Sequence, residues 1–381
     1  MSASEKNCLD LTLRLYRIFL IVPDDGSEDN PGIWFYIRLA IISLCCMLTY
    51  LSTIAHLGVS VQRNLDVEKD FDLVILLSLA GAYWFNAFFF KNTKTLFKLR
   101  DSISKFTSSI KPPEWDILTK KMNFYSFLHL IYIFFAIHTY VIFSVFDPSC
   151  EKINRQKNLT ELCGLLAPAW FPIQISETYK MPIILFQYLV FLFSFIVCAF
   201  IAWSDAEIIQ YIIFRFRHMQ KQLITAFAER NNKVMRKKFT AAIKYHNEII
   251  RMVNLLNDCF ASTILLHVLL TGAIIGCSFF RMFYGHSIPT SMLFIGWVNG
   301  LSMSTISGQK LMDESEELFN ILLTADWYKF DNEIKKDFIF MLLKCRNPIT
   351  SQALIAPMNY SLLLAVLKGS YSYITLLSKA V

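Results

Sequence analysis

The chain has 381 residues, 55% of them apolar and only 18% charged, with 34 Phe and a mean hydropathy of +0.42, against roughly 45–50% apolar and about 25% charged in ordinary soluble domains. Disorder is excluded, because disordered chains are poor in aromatics and rich in charge, and 12 Gly and 9 Cys exclude collagen-like and disulfide-scaffold classes. The net charge of +7 does not mark a nucleic-acid partner: Lys and Arg cluster in the gaps between apolar runs and form no basic stripe interleaved with aromatics. A polytopic membrane protein of all-α class remains.

Residues 1–32 carry charges throughout and no central apolar stretch, so no cleavable signal peptide is expected and the first span does the targeting. About 20 mostly apolar residues cross ~30 Å of hydrocarbon. Six segments meet that length, at about 33–59, 71–90, 124–146, 181–203, 259–284 and 290–310. A seventh, at about 353–377, is diluted by Asn359, Ser361, Lys368, Gly369, Ser370 and Ser372. That polarity predicts a helix shielded from lipid, lining water or protein.

Between spans four and five, apolar residues recur at helical spacing through Ile208, Ile209, Ile212, Ile213 and Phe216, and again through Ile243, Ile249, Ile250, Val253 and Leu256. The two spans are expected to continue as helices well beyond the membrane. Glu333–Cys345 is too short to span and is stopped by Asn347-Pro348, which predicts a half-helix leading into span seven. With no internal repeat, Gly/Ser linker or low-complexity tract, residues 1–381 read as a single seven-helix transmembrane domain.

Orientation follows from the basic residues. The segments 1–32, 91–123, 204–258 and 310–352 hold three, eight, ten and six Lys or Arg, 27 in all, whereas the segments on the opposite side hold seven. The positive-inside tendency therefore predicts a cytoplasmic N-terminus and, after seven crossings, an extracellular C-terminus.

The motifs of catalysis do not occur: no HExxH, GxSxG, Walker A, GxGxxG or paired CxxC. An enzyme is not expected, nor a cofactor or metal. His129 and His138 share one span but stand nine residues apart, off the i,i+4 stacking of metal ligands; both read as helix residues with local hydrogen bonds, His138 lying nearer the outer end. Cys150 and Cys163 alone share an outer, oxidising loop, and a bridge or a free thiol are both open there. The same loop holds the sequon Asn158-Leu159-Thr160, on the side where glycosylation occurs. A second, Asn359-Tyr360-Ser361, falls at span seven, where modification is not expected.

Seven spans first suggest a metabotropic, G-protein-coupled receptor, but that reading needs the N-terminus outside and would place 27 basic residues extracellularly. A secondary transporter would show an inverted repeat and broken helices near the midplane, and neither is visible. What the C-terminal third resembles is the insect odorant receptor family. The resemblance rests on Gly308-Gln309, Ser315, Asp326-Trp327-Tyr328, the basic half-helix ending in Arg346-Asn347-Pro348, and the closing run from Val366 to Tyr373. The related gustatory receptors carry Thr-Tyr-apolar-Gln-Phe in the last span, whereas Ser372-Tyr373-Ile374-Thr375-Leu376 lacks the Gln, which favours the odorant branch over a gustatory-like channel. The shared co-receptor Orco has a large insertion in its second cytoplasmic loop, for which this loop is too short, so the chain resembles a ligand-tuning subunit.

The resemblance implies an odorant-gated, non-selective cation channel in the plasma membrane of olfactory sensory neurons, assembled with Orco as a heterotetramer around a pore lined by span seven. From Lys368, i,i+4 steps give Ser372, Leu376 and Ala380 on one stripe, and an apolar ring there gates by dewetting; by position Leu376 resembles the family's gate residue. Helix packing is the alternative for this stripe, and snorkelling for Lys368. A small volatile organic ligand calls for an apolar, aromatic-rich cavity in the outer half of the bundle. Val74, Ser78, His138, Ile142, Tyr179, Ile183, Met292 and Ile295 are the candidates, each also readable as plain packing. The cytoplasmic extensions 204–258 and 312–348, with Trp327 and Tyr328, are the expected subunit-association surface.

Overall fold

Backbone N–H and C=O groups in hydrocarbon must pair within their own segment, and a chain this apolar answers with helices. The computed structural model describes all residues except 1–7, 20–21, 24–31, 64–65, 174, 286–287, 355 and 381; at 66–72, 149, 153, 157, 279–285 and 373–380 it describes the backbone alone. Eleven α-helices occur among the described residues: α1 Asp10–Ile18, α2 Ile33–Gln62, α3 Asp66–Lys91, α4 Thr93–Ser104, α5 Glu114–Val145, α6 Ser149–Lys157, α7 Lys180–Phe227, α8 Asn232–Gly285, α9 Ile288–Thr324, α10 Asn332–Cys345 and α11 Tyr360–Ala380. One antiparallel pair, β1 Gln352–Ala353 with β2 Ala356–Pro357, completes the fold.

Five helices, α2, α3, α5, α7 and α8, are long and apolar enough to cross a membrane. The more polar α9 and α11 occupy the places of the sixth and seventh expected spans. α2 is apolar on every side and buries only the stripe Thr49, Thr53, His56 and Ser60, leaving Ile41, Leu44, Leu48 and Leu51 exposed. An all-round apolar surface is a lipid-facing one.

The helical spacing after span four holds in full. α7 has 48 residues and α8 has 54, so each is about 70–80 Å long at 1.5 Å per residue. Only the turn 228–231 separates them. Their extended halves pack on each other and on α9 through Ile212, Phe216, Leu223, Phe239, Tyr245, Ile249, Val253 and Leu256. α8 is the hub, touching α3, α4, α7, α9 and α11. α10 coincides with the expected half-helix. The last span differs: its helix starts at Tyr360, because Gln352–Ala353 pair with Ala356–Pro357 as strands and Pro357 has no amide hydrogen to give a helix. Asn359 caps the start, its Oδ1 accepting from the Leu362 amide (2.9 Å).

A buried ion clamp ties α4 to the long helices. Arg215 on α7 is fully buried; its guanidinium donates to the carbonyls of Ile103 (3.3 Å) and Lys105 (3.2 Å), pairs with Glu248 on α8 (3.2 Å), and lies over the Phe106 ring (3.8 Å). The other Glu248 oxygen accepts from Ser108 (2.6 Å) and from Thr107. At the opposite end of the bundle, the loop after α6 is closed by a Cys150–Cys163 disulfide. It is held to α2 by Glu161, which accepts from His56 Nε2 (3.1 Å) and Arg63 (2.9 Å), and by the Trp170 amide donating to Ser52 (3.1 Å).

Two outcomes follow from these contacts. Arg215→Ala leaves two carbonyls and the Glu248 carboxylate without their partner and is expected to cost about 3–5 kcal/mol; the measurement is loss of the monodisperse peak on heating detergent-solubilised protein, and Arg215→Lys, which keeps the charge but not the planar fork, should fall between. The hydrogen bond from His56, with Arg63 adding attraction, holds the Glu161 carboxyl below its ordinary value. A depressed value means that the contribution is complete above the usual carboxylate range, about 4.3, and is lost as the pH falls through the lowered value. Hydrogen exchange over residues 158–170 should therefore speed up on acidification below about 4, whereas in Glu161→Gln it is fast at neutral pH already.

Candidate ligand cavity and last helix

Four helices enclose a cavity of about 130 Å3, comparable to the ~150 Å3 engineered cavity that takes benzene. Three of them line it at helical spacing, His129, Ile133, Ile137 and Tyr140 from α5, Phe191, Phe195, Cys198 and Ala202 from α7, and Met292, Gly296, Trp297, Gly300 and Met303 from α9, and α8 adds His267. The wall is mostly apolar and aromatic with a few polar groups, which is the composition of a small-molecule site.

Glycines let the wall close this tightly. A Cβ on Gly300 would stand 2.9 Å from His267 Cε1, and one on Gly81 of α3 would stand 2.7 Å from the Trp297 ring. His267 is thereby wedged edge-on between Phe85 (centroids 5.3 Å) and Trp297 (5.4 Å). His129 stacks on Trp203 (5.0 Å, 22° between planes), its Nε2 donating to the Ala199 carbonyl (3.4 Å). Leu166 and Ala167, in the loop 163–167, pack in one apolar cluster with Tyr140, Phe191 and Trp297 of this wall. Gln187 holds the loop with three hydrogen bonds, accepting from the amides of Leu166 (2.9 Å) and Ala167 (3.2 Å) and donating to the Ala167 carbonyl (2.8 Å), and Tyr140 donates to Leu166 (2.6 Å).

Of the eight residues chosen from the sequence, Met292 lines this cavity. Val74 and Ser78 are fully buried on α3, Val74 in the cluster that contains Trp297 and Ile274. His138 is turned onto its own helix and α7, Nδ1 against the Phe134 carbonyl (2.7 Å) and Nε2 against the Tyr188 hydroxyl (2.9 Å). Ile142, Tyr179 and Ile295 stand on the outer surface, 56%, 62% and 49% exposed, and Ile183 is half-buried. Trp297, Tyr140, Phe191 and His267 were not among the choices. A readable signal did exist, since Gly296 and Gly300 are four apart in an apolar helix, a small-residue spacing that marks close approach of another element.

α9 also carries the anchor of the last helix. Gly308 faces Met358, and a Cβ there would collide with the Met358 carbonyl. Ser315 accepts from the Ile349 amide (2.9 Å) and Gln309 from the Tyr360 amide (3.4 Å), while Asn257 of α8 bonds Thr350 (3.2 Å) and Gln352 (3.0 Å). The segment 349–360 is thus stapled to α8 and α9. α11 then packs on α8 through Val366 and Ser370, whose hydroxyl donates to the Gly272 carbonyl (3.0 Å). Lys368 and Ser372 lie on the exposed side with Leu364 and Tyr371. The side chains of Leu376 and Ala380 lie outside the described residues.

Trp327 and Tyr328 sit in a short 3-10 turn after α9, both exposed, with Trp327 stacked on Phe338 of α10 (6.4 Å, 18°). Asn158 is exposed at the end of α6.

The 7tm Odorant receptor family matches residues 83–371. No curated protein matches the sequence. Among solved structures, the insect olfactory receptor OR5 from Machilis hrabei in complex with eugenol superposes with a TM-score of 0.74 at 10% identity, covering 98% of this chain and 99% of that one. A second OR5 structure from Machilis hrabei gives 0.73 at 10% identity, covering 97% and 98%. At that identity the likeness concerns the fold, which is the all-helical membrane architecture expected from the sequence. With the family matched over well more than half its length, the chain belongs to the odorant receptor family.

Proposed function

We propose that this chain is the odorant-tuning subunit of a ligand-gated, non-selective cation channel, assembled with the co-receptor Orco in a heterotetramer in the plasma membrane of olfactory sensory neurons. One observation carries the reading: α9 lines the aromatic cavity with Met292, Trp297 and Gly300 and, further along, holds the root of α11 with Gly308, Gln309 and Ser315. A ligand that favours one placement of α9 by differential contact therefore biases α11, and differential contact is the only way a ligand shifts such an equilibrium. The bound OR5 carries eugenol, a small aromatic molecule; a small, neutral, ring-sized volatile compound suits the cavity here by volume and polarity.

The charge count supports a cytoplasmic N-terminus and an outer C-terminus, which puts the disulfide-closed loop and Asn158 outside, where glycosylation takes place. In that orientation α1, α4, α10 and the extensions of α7 and α8 form a cytoplasmic layer, over residues 204–258 and 312–348, in which exposed Trp327 and Tyr328 face partner subunits. The seven helices act as one domain. The exposed stripe of Lys368 and Ser372, continued by helical spacing to Leu376 and Ala380, faces the pore, with Leu376 as the apolar constriction. Within the ligand site Met292 is kept from the residues chosen by sequence, joined by Tyr140, Phe191, His267 and Trp297.

Co-expression with Orco in oocytes, with an odorant panel under voltage clamp, tests the reading; surface delivery without odorant-evoked current defeats it. Gly300→Leu drives a side chain into His267 and the cavity, and the half-maximal odorant concentration should rise at least about tenfold, whereas Ile142→Ala on the outer surface should stay within about twofold. Leu376→Ser should raise the current recorded before odorant is added, because a polar constriction stays wet; an unchanged baseline removes Leu376 from the gate.

A further inference from the structure

A second cavity, of about 180 Å3, lies in the wall of the bundle between α2, α3 and α7. It shares no lining residue with the first, and the two lie on opposite faces of α7: Phe193 lines this one, and Phe191 and Phe195 line the other. Its outer wall is α2, whose other side chains are mostly apolar and exposed, so the cavity lies on the lipid-facing side of the bundle. No charged side chain lines it.

The polar groups in this wall are unevenly satisfied. Cys46 and Ser194 bond each other across α2 and α7 (3.3 Å). Asn86 of α3 lines the cavity, and its Oδ1 is buried with no hydrogen-bond partner. A carbonyl left without a donor in an apolar setting costs roughly 1–3 kcal/mol by mutational measures. Helices in lipid have many apolar residues that fill such a position at no such cost, so the group points to a donor that arrives with a ligand. An acyl chain has no donor to offer, and an ammonium or carboxylate would meet no opposite charge here.

We infer that the cavity between α2, α3 and α7 is a binding site for a small neutral alcohol or phenol, taken up from the membrane, whose hydroxyl donates to Asn86 Oδ1 while its carbon skeleton lies against Ala87 and Phe193. The volume admits about ten heavy atoms or fewer, judged against the benzene-sized cavity. The site is separate from the cavity assigned to the odorant and its occupancy does not depend on that assignment.

The test is photo-crosslinking of the full chain in membranes with hexanol carrying an aliphatic diazirine, followed by mass-spectrometric mapping. Label is expected on peptides spanning 39–46 and 83–90, above that on the lipid-exposed Leu48 and Leu51. Excess 1-octanol should remove it and n-octane should not, a comparison on the unaltered chain that needs no variant to fold. Asn86→Leu should lower the labelling about fivefold, the worth of one hydrogen bond, and Ala87→Trp should abolish it by filling the space. Competition by octane equal to that by octanol overturns the proposal in favour of a lipid tail. Even labelling along α2, or labelling indifferent to both substitutions, overturns it as well. Because the readout is a covalent map and not a current, failure here is distinct from failure of the channel reading.

Discussion

The constraint on which this structure depends is that backbone groups leaving water must find partners within their own segment. In hydrocarbon that selects helices, and the chain extends the same solution beyond the spans: α7 runs on for its second half and α8 begins a half-length before its span, both without a break. Beyond the apolar slab, side chains take over the task of holding elements together. Arg215 shows the change of regime, because its two terminal nitrogens reach the carbonyls of Ile103 and Lys105 at the end of α4, and Glu248 and the Phe106 face balance its charge. A buried cation is tolerable only when its charge is paired, and here one residue joins α4, α7 and α8.

Within the bundle the governing resource is small residues. Gly81, Gly300 and Gly308 each stand where a methyl group would strike another element: the Trp297 ring, His267 and Met358 at the root of α11. Close approach in these places lets large rings pack without gaps on one side and leaves a defined gap on the other. The cavity between α5, α7, α8 and α9 is a product of this packing, and Tyr140, which lines it, is tied together with Gln187 to the loop 163–167. α9 is shared by this cavity and by the root of α11.

The two ends of the molecule are held differently. One relies on a disulfide and on the Glu161 carboxylate with His56 and Arg63, at the border of the apolar region; the other relies on aromatic layers, Phe227, Phe239, Phe330 and Phe338, and on the Arg215 clamp. The residues that mark the family, Gly308, Gln309 and Ser315, turn out to be the staples of the segment 349–360, so their chemistry is structural and local: a missing side chain, an amide oxygen and a hydroxyl, each meeting backbone.

The sequence by itself determined the helical membrane class, the long continuations of α7 and α8, the half-helix α10 and the unusual polarity of the last helix, because composition and period are properties of single segments and hydrocarbon penalises deviations from them. It also pointed to the family through residues that contact backbone and are therefore tied to short, recognisable spacings. It placed Met292 in the cavity but also put forward Ile142, Tyr179 and Ile295, which stand on the outer surface, and did not single out Trp297, Tyr140 or His267. Only the tertiary structure decided these, since which face of an all-apolar helix turns inward is not written in its own period: lipid and protein interior accept the same side chains, and the choice rests on where glycines on neighbouring helices let a ring come close. The start of α11 was likewise settled in three dimensions, where the pairing of Gln352–Ala353 with Ala356–Pro357 and the Asn359 cap displaced a helix that apolar content alone would have begun earlier.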